Sequence, residues 1–314
     1  MCVDQDMQEK EVTIEDIIDC TKTCPTCDYV GSRKIIIPLQ KSPEINYLKC
    51  PNCFGASASH MPTDKYLDSY YSSYYEGDKK VTHESEEKVT FPGSLKRLTD
   101  HIIKGCEGLE DRTVLEIADF GGGDGSIAIE LAQSLMKGNA KQITISVIDL
   151  SHFENREVGN IKVNYYKSIE EVKNIHFDLI IASAILEHIP FLKPVLINLF
   201  KQLNENGYLY IKVPYVIPLK KILPFVALLY PMHVHDLGSS FWNTLPERIG
   251  ISNIKIARSE PPLAETEFKT HFILTTISHI MKFPFYVERV IRGTQKHYFY
   301  NLIAGWEVIY KNAV

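Results

Sequence analysis

Three groups of residues in this sequence have types and spacings that could do chemistry. Cys24-Pro-Thr-Cys27 and Cys50-Pro-Asn-Cys53 are two Cys-x2-Cys pairs with 22 residues between them. Four thiolates so paired can close one tetrahedron, which suits a zinc ion in a structural role because no position stays open for water or substrate. Four free or coincidentally spaced cysteines are the alternative. Residues 119–126, Asp119-Phe-Gly121-Gly122-Gly123-Asp124-Gly125-Ser126, set four glycines among two carboxylates. Such a turn lets backbone approach a ligand closely. His188, His233 and His235 carry the side chain that takes or gives a proton most readily near neutral pH.

The glycine turn discriminates between ligands. The dinucleotide fingerprint G-x-G-x-x-G wants Gly or Ala at position 126, where this chain has Ser, whereas Asp119, Gly121, Gly123 and Gly125 satisfy D-x-G-x-G-x-G. Asp119 and Asp124 would repel a pyrophosphate but suit a cationic amine and a sulfonium, the charges of S-adenosylmethionine. Asp149 lies thirty residues after Asp119, where a carboxylate can accept hydrogen bonds from both ribose hydroxyls, or serve as an ordinary turn residue.

Methyl transfer from a sulfonium is a direct displacement, so alignment comes first, and a hydroxyl acceptor also needs a base. His188, in Leu186-Glu187-His188-Ile189, would stand near the pocket mouth or simply open a helix. His233 and His235, in Pro231-Met-His233-Val-His235-Asp236, would point the same way if that segment is extended. They have three readings: general bases, a divalent-cation site with Asp236, or structure.

These residues need a frame. Apolar runs at 114–120, 143–150, 163–166, 177–184 and 208–213 alternate with helical stretches such as 126–136. That order predicts an α/β fold: a Rossmann-like, doubly wound, mostly parallel seven-stranded sheet with a small N-terminal zinc ribbon. Ligands of such sheets bind beyond the C-terminal strand ends. The expected division is an extension over 1–19, the ribbon over 20–60, a Tyr-rich connector over 61–89 and the catalytic domain over 90–314. Strands at 33–39 and 45–48 should link the two cysteine knuckles. The tyrosine run, Tyr66 to Tyr75, has spacing that suggests neither a clean helix nor a strand; it reads as a linker that partly lids the pocket, with Tyr75 and His83 facing it. Further on, a helix at 241–248 should stop at Gly250, with strands at 253–257 and 302–310. An aromatic-rich insertion over 263–300, helical at 272–283, is expected to shape the acceptor site, make a homodimer contact or pack on the core.

VLEIADFGGGDGS, VIDLS, FDLIIASAILEHIP and LNENGYLYIKVP, in that order, resemble the motifs of class I S-adenosylmethionine-dependent methyltransferases over about residues 90–314. The resemblance implies S-adenosylmethionine as methyl donor. It puts Asp119, Gly121, Gly122, Gly123, Gly125, Asp149, Leu150, Ser168, Ala184 and Glu187 at the cofactor; the candidates for the chemistry remain His188, His233 and His235. The sequence departs from the family at Tyr166-Lys167-Ser168, where an acidic residue commonly binds the adenine amine; Ser168 would accept that hydrogen bond and Ile169 would pack on the ring. A four-cysteine ribbon followed by a Tyr-rich segment further resembles a subgroup that often modifies sugars or surface-polysaccharide precursors. The implied acceptor is a hydroxyl of such a precursor, or the carbon of a keto-deoxysugar.

Composition narrows the rivals. The net charge is −5, and residues 1–94 carry ten Lys/Arg against sixteen Asp/Glu, which disfavours nucleic acid. The acidic start has no signal-peptide character, residues 215–232 are broken by three prolines, and the cysteine pairing suits a reducing compartment, so a cytoplasmic protein without a membrane span is expected. A dinucleotide-dependent oxidoreductase and a noncatalytic ribbon that binds protein remain as rivals of other classes.

Overall fold

The computed structural model describes residues 12–78, 95–150, 153–263 and 271–313. Its first part is built of short strands: β1 (Ile17–Asp19), β2 (Lys34–Gln40), β3 (Ile45–Lys49), β4 (Ala56–Ala58) and β5 (His60–Pro62). Helix α1 (Asp64–Asp78) follows. The expectation that the tyrosine run would be irregular is corrected here. Thr63 caps α1, its Oγ1 accepting from the Tyr66 amide at 3.3 Å, and Tyr66 stacks on Tyr70 one turn later at 6.3 Å. Tyr75 falls in the last turn of α1, and His83 lies outside the described residues.

Helix α2 (Leu95–Gly105) leads into β6 (Val114–Phe120), α3 (Ser126–Leu135) and β7 (Gln142–Ile148). Then come β8 (Arg156–Val158), β9 (Ile161–Tyr166), β10 (Phe177–Ser183), α4 (Leu192–Lys201), β11 (Leu203–Pro214) and α5 (Ile217–Ile222). The chain closes through β12 (His235–Asp236), α6 (Ser239–Trp242), α7 (Leu245–Arg248), β13 (Ile254–Glu260), α8 (Phe272–Arg292) and β14 (Gly305–Asn312). The single helix expected over 241–248 is two short ones, because Pro246 can only enter at a first turn.

The main sheet runs β13-β14-β11-β10-β6-β7-β9-β8. The five inner strands, β11, β10, β6, β7 and β9, are parallel to their neighbours, while β14, β13 and β8 run antiparallel. The expected seven strands are therefore eight, in a mixed sheet. The additional one, β8, turns back on β9 through Gly159 at φ 62°, a two-residue reversal that left-handed backbone permits. The inner strands are apolar on both faces, as Leu115, Ile117, Ile143, Ile145, Ile180 and Ile181 are fully buried, which is what helices on both sides require. No described helix is long and apolar enough to cross a membrane.

The N-terminal strands do not stand apart from this domain. β4 pairs with β3 on one side and with β12 on the other, giving a sheet β12-β4-β3-β2 that takes one strand from the far half of the chain. Cys24, Cys50 and Cys53 share a continuous core with Leu186, Leu192, Leu237, Phe241 and Trp242. Trp242 is fully buried at that junction, its indole N–H donating to the Leu237 carbonyl at 3.0 Å. Replacing it, Trp242→Ala, should lower stability by about 3–5 kcal/mol in urea unfolding through lost burial and a cavity; a loss under about 1 kcal/mol would show that the junction does not hold the two parts together.

Candidate functional site

The glycine turn lies where the sheet topology requires, at the C-terminal end of β6. Gly121, Gly123 and Gly125 have φ of 71°, 55° and 77°, a region open to glycine. A Cβ on Gly121 would lie 2.4 Å from Ile185 Cγ1, whereas a Cβ on Gly123 would meet no atom within 4 Å. One side of the turn is thus packed on the loop after β10 and the other is open. The Gly123 amide donates to Asp149 Oδ2 at 2.9 Å, so the carboxylate just past β7 is drawn to the turn. Asp124 accepts from the Ser126 amide through Oδ1 at 3.0 Å, and its carbonyl accepts from the Tyr165 hydroxyl at 2.8 Å.

Asp119 is placed differently from the expectation that its charge meets the cofactor directly. It is 1% exposed beneath Gly122, whose Cβ position would fall 2.4 Å from the Asp119 carboxyl carbon. It accepts from the Ala128 amide in the first turn of α3, and burial pushes its pKa up to about 7. Its role is to fasten the turn to the helix. Of the other residues expected at the cofactor, Leu150 is exposed beside Asp149, and Ser168 precedes the 3-10 turn Ile169–Val172 without capping it. Ala184 takes φ 57° at the end of β10.

Beyond Ala184 the chain makes a 3-10 turn, Leu186–His188. His188 Nδ1 donates to the Met232 carbonyl at 3.0 Å; since a carbonyl only accepts, this fixes the tautomer and leaves the neutral ring's lone pair on Nε2. The His188 and His233 rings meet edge to face, centroids 4.8 Å apart. Burial lowers both pKa values, His233 to about 4 with help from the neighbouring His188, so both rings are neutral at pH 7. Glu187 is 2% exposed; its Oε1 lies 3.7 Å from His188 Nε2 and burial pushes its pKa up to about 8.

His235 parts from this pair. It is 1% exposed, with Nε2 donating to the Ile189 carbonyl at 2.8 Å. Buried this way it cannot meet an acceptor. The cation reading of His233, His235 and Asp236 falls with it, because Asp236 uses both carboxylate oxygens on the amides of Val216 and Ile217.

The residue that sequence reasoning missed is Tyr47, on β3. Its hydroxyl donates to the His233 carbonyl at 2.7 Å, and the Ala58 amide donates to the Val234 carbonyl at 2.8 Å. On the other side the Val234 amide donates to the Glu187 carbonyl at 2.9 Å. The histidine segment is held between the N-terminal sheet and the turn after β10. No local signal could have shown a contact across 186 positions.

The four cysteines come together, their sulfurs within 4.8 Å of one another. The edges Cys24–Cys53 and Cys27–Cys50 measure 3.8 and 3.7 Å, too long for a disulfide. They match the edge of about 3.8 Å expected for a tetrahedron with Zn–S bonds of about 2.3 Å. The Thr26 hydroxyl lies 3.1 Å from Cys24 Sγ and 3.2 Å from Cys53 Sγ, and Asn52 Nδ2 donates to Cys27 Sγ at 3.6 Å, the outer hydrogen bonds that thiolate ligands attract. The Pro25 carbonyl accepts from the Leu192 amide at the start of α4. Cys24, Cys27, Cys50 and Cys53 thus fit one structural zinc ion.

Two measurements test these assignments. Cys53→Ser should cut bound zinc from about one per chain to a small fraction and lower the melting temperature, read by elemental analysis and calorimetry; unchanged melting would detach the cysteines from folding. Gly123→Ala should cost only about 1–2 kcal/mol, for the left-handed backbone, while Gly121→Ala should cost more because it also forces Ile185 aside. Equal losses would contradict the one-sided packing of the turn.

Comparison with known proteins places these features. The family model described as "Methyltransferase domain" matches residues 95–244. The chain is similar to the ubiquinone biosynthesis O-methyltransferase of Rickettsia bellii (strain OSU 85-389), with 31% identity over 148 residues, 45% of this chain and 61% of that one. It is also similar to the protein so named in Rickettsia akari (strain Hartford), with 33% identity over 137 residues, 41% of this chain and 54% of that one. The chain therefore spans little more than half the length of these curated relatives. Among solved structures, the plantazolicin methyltransferase BpumL in complex with a triazolic desmethylPZN analogue and SAH aligns with a TM-score of 0.47 at 14% identity, covering 78% of this chain and 94% of that one. Coclaurine N-methyltransferase aligns with a TM-score of 0.43 at 14% identity over 72% and 75%. The glycine turn and the β6–β11 core fall on the residues that match the methyltransferase domain, 95–244.

Proposed function

We propose that this protein transfers a methyl group from S-adenosylmethionine to a hydroxyl of a small molecule. The observation that carries the reading is the turn itself: an open Gly123 face whose amide is bonded to Asp149 at 2.9 Å, at the C-terminal ends of β6 and β7. Asp149, placed at the turn by the Gly123 amide, would hold the ribose hydroxyls. The dinucleotide rival is disfavoured by Asp124, whose carboxylate caps the first amide of α3 where a pyrophosphate would have to bind.

When bound, S-adenosylmethionine supplies the methyl on its sulfonium. The protein aligns the acceptor with it and receives the hydroxyl proton on a neutral imidazole of the His188–His233 pair, which later passes it to water. His235 supports that pair from behind through Ile189. Zinc at the four cysteines has a structural role, stabilising the sheet that holds His233. The names of the Rickettsia relatives support oxygen as the methylated atom. A sugar or glycan-precursor hydroxyl is the narrower acceptor, supported by the resemblance of the ribbon and the Tyr-rich segment. No residue of the site favours methylation at carbon.

Calorimetric titration with S-adenosylmethionine and, separately, with NAD tests the cofactor. Saturable binding of S-adenosylmethionine alone is expected, weakened at least tenfold by Asp149→Ala, about 1.4 kcal/mol or more, and abolished by Gly123→Arg. A preference for NAD, or full affinity in both variants, would sink the proposal.

A further inference from the structure

We infer that the outward face of α8 (Phe272–Arg292) docks on the same face of a second copy of this chain, the two helices lying antiparallel across a two-fold axis near residue 282. The inference stands apart from the methyltransferase reading and does not depend on it.

Helix α8 is turned the opposite way from an ordinary amphipathic helix. Its inner side buries Thr275, Lys282 and Phe285, and the Phe285 ring meets those of Tyr298 and Trp306 with centroids 4.7 and 5.5 Å apart. Its outer side sets Ile273, Ile277, Ile280, Pro284, Val287 and Ile291 in one stripe, flanked by Phe272, Phe283, Tyr286 and Val290. Ile273, Ile280 and Ile291 are 73%, 66% and 76% exposed. A surface helix normally directs such a stripe at the core and its polar side at water. At roughly 100 Å² each, these side chains offer about 1,000 Å², more than the largest apolar patch of a typical monomer and enough for the ~800 Å² per partner of a standard interface.

The occupant follows from charge and spacing. The longest stretch outside the described residues, 79–94, has only Val81, Val89 and Phe91 as large apolar side chains, among charged neighbours, too few to cover the stripe. A helix lying on an anionic bilayer keeps Lys and Arg for the headgroups. The three in α8 are engaged within the protein: Lys282 Nζ donates to the Pro262 carbonyl, Arg289 to Glu260 at 2.7 Å and Arg292 to Glu288 at 2.8 Å. Self-docking, by contrast, buries no unpaired charge. The stripe residues recur at spacings of 4, 3, 4, 3 and 4, the seam along which helices interlock. That order reads the same in both directions, so an antiparallel copy meets it in register, Ile273 against the partner's Ile291 and Ile277 against the partner's Val287. The antiparallel arrangement opposes the two helix dipoles and keeps Arg289 and Arg292 of the two copies at opposite ends, as a self-complementary two-fold contact requires.

The test is light scattering on the full-length protein at micromolar concentration. Wild type should show twice the mass of one chain, and Ile277→Lys and Val287→Glu should each show the mass of one chain, with unchanged circular dichroism. Mixing the two variants should restore the doubled mass, because the new charges face each other only in the antiparallel register; Ile277→Lys mixed with Ile280→Glu should stay monomeric. Should a variant fail to fold, a benzoylphenylalanine photocrosslinker in place of Phe283 decides the matter: it must capture α8 of a second, isotopically distinct chain. A monomeric wild type, a doubled mass that survives both charged variants, a mixture that does not recover, or no captured α8 would each overturn the contact. Wild type that stays monomeric but sediments with phosphatidylglycerol vesicles, and loses this in Ile277→Glu, would assign the face to a bilayer instead.

Discussion

The segment from Met232 to Asp236 has to satisfy its backbone against two different parts of the molecule at once, and much of the arrangement depends on that. Val234 gives its carbonyl to Ala58 and takes the Glu187 carbonyl with its amide. His235 and Asp236 complete a ladder with Ser57 and Ala56. Five residues without a helix of their own would otherwise bury unpaired amides and carbonyls. The short N-terminal strands supply those partners, so they complete the domain's surface and are not a separate module beside it.

This explains the chemistry of the N-terminal unit. Strands of three to seven residues cannot bury enough apolar surface to stand alone, and a metal held by the four cysteines would compensate for a missing core. The cysteine cluster also touches the large domain directly, through Pro25 on the start of α4 and through a core shared with Phe241 and Trp242. The strands beside the cysteines reach the histidine segment through two hydrogen bonds, those of Tyr47 and Ala58.

What could be read from the sequence was local. Cysteine pairs announce a cluster of four sulfurs by spacing alone, and a glycine run between an apolar strand and a helix announces a tight turn with left-handed backbone. The inner strands were readable because residues buried on both faces must be continuously apolar. Features that depend on distant partners were not readable. Asp119 looks like a binding carboxylate until the course of the turn puts Gly122 over it. His233 and His235 look alike until one meets His188 and the other the Ile189 carbonyl. The tyrosine run starts its helix at a threonine cap, and β8 turns back through a left-handed glycine, features whose outcome the spacing of the tyrosines and the strand pattern did not reveal.

That small eighth strand also changes the character of the sheet's boundary. Without it, β9 would present an open row of amides and carbonyls, the kind of edge onto which another chain can add. Arg156-Glu157-Val158 closes the row with only three residues, two of them charged, too short and too polar to serve as a template. Arg156 also reaches across to the Asp124 carbonyl at 3.0 Å, beside the Tyr165 hydroxyl on the same oxygen. The guanidinium of this short, charged edge strand thereby also braces the glycine turn, so that the border of the sheet and the shape of the turn depend on one side chain.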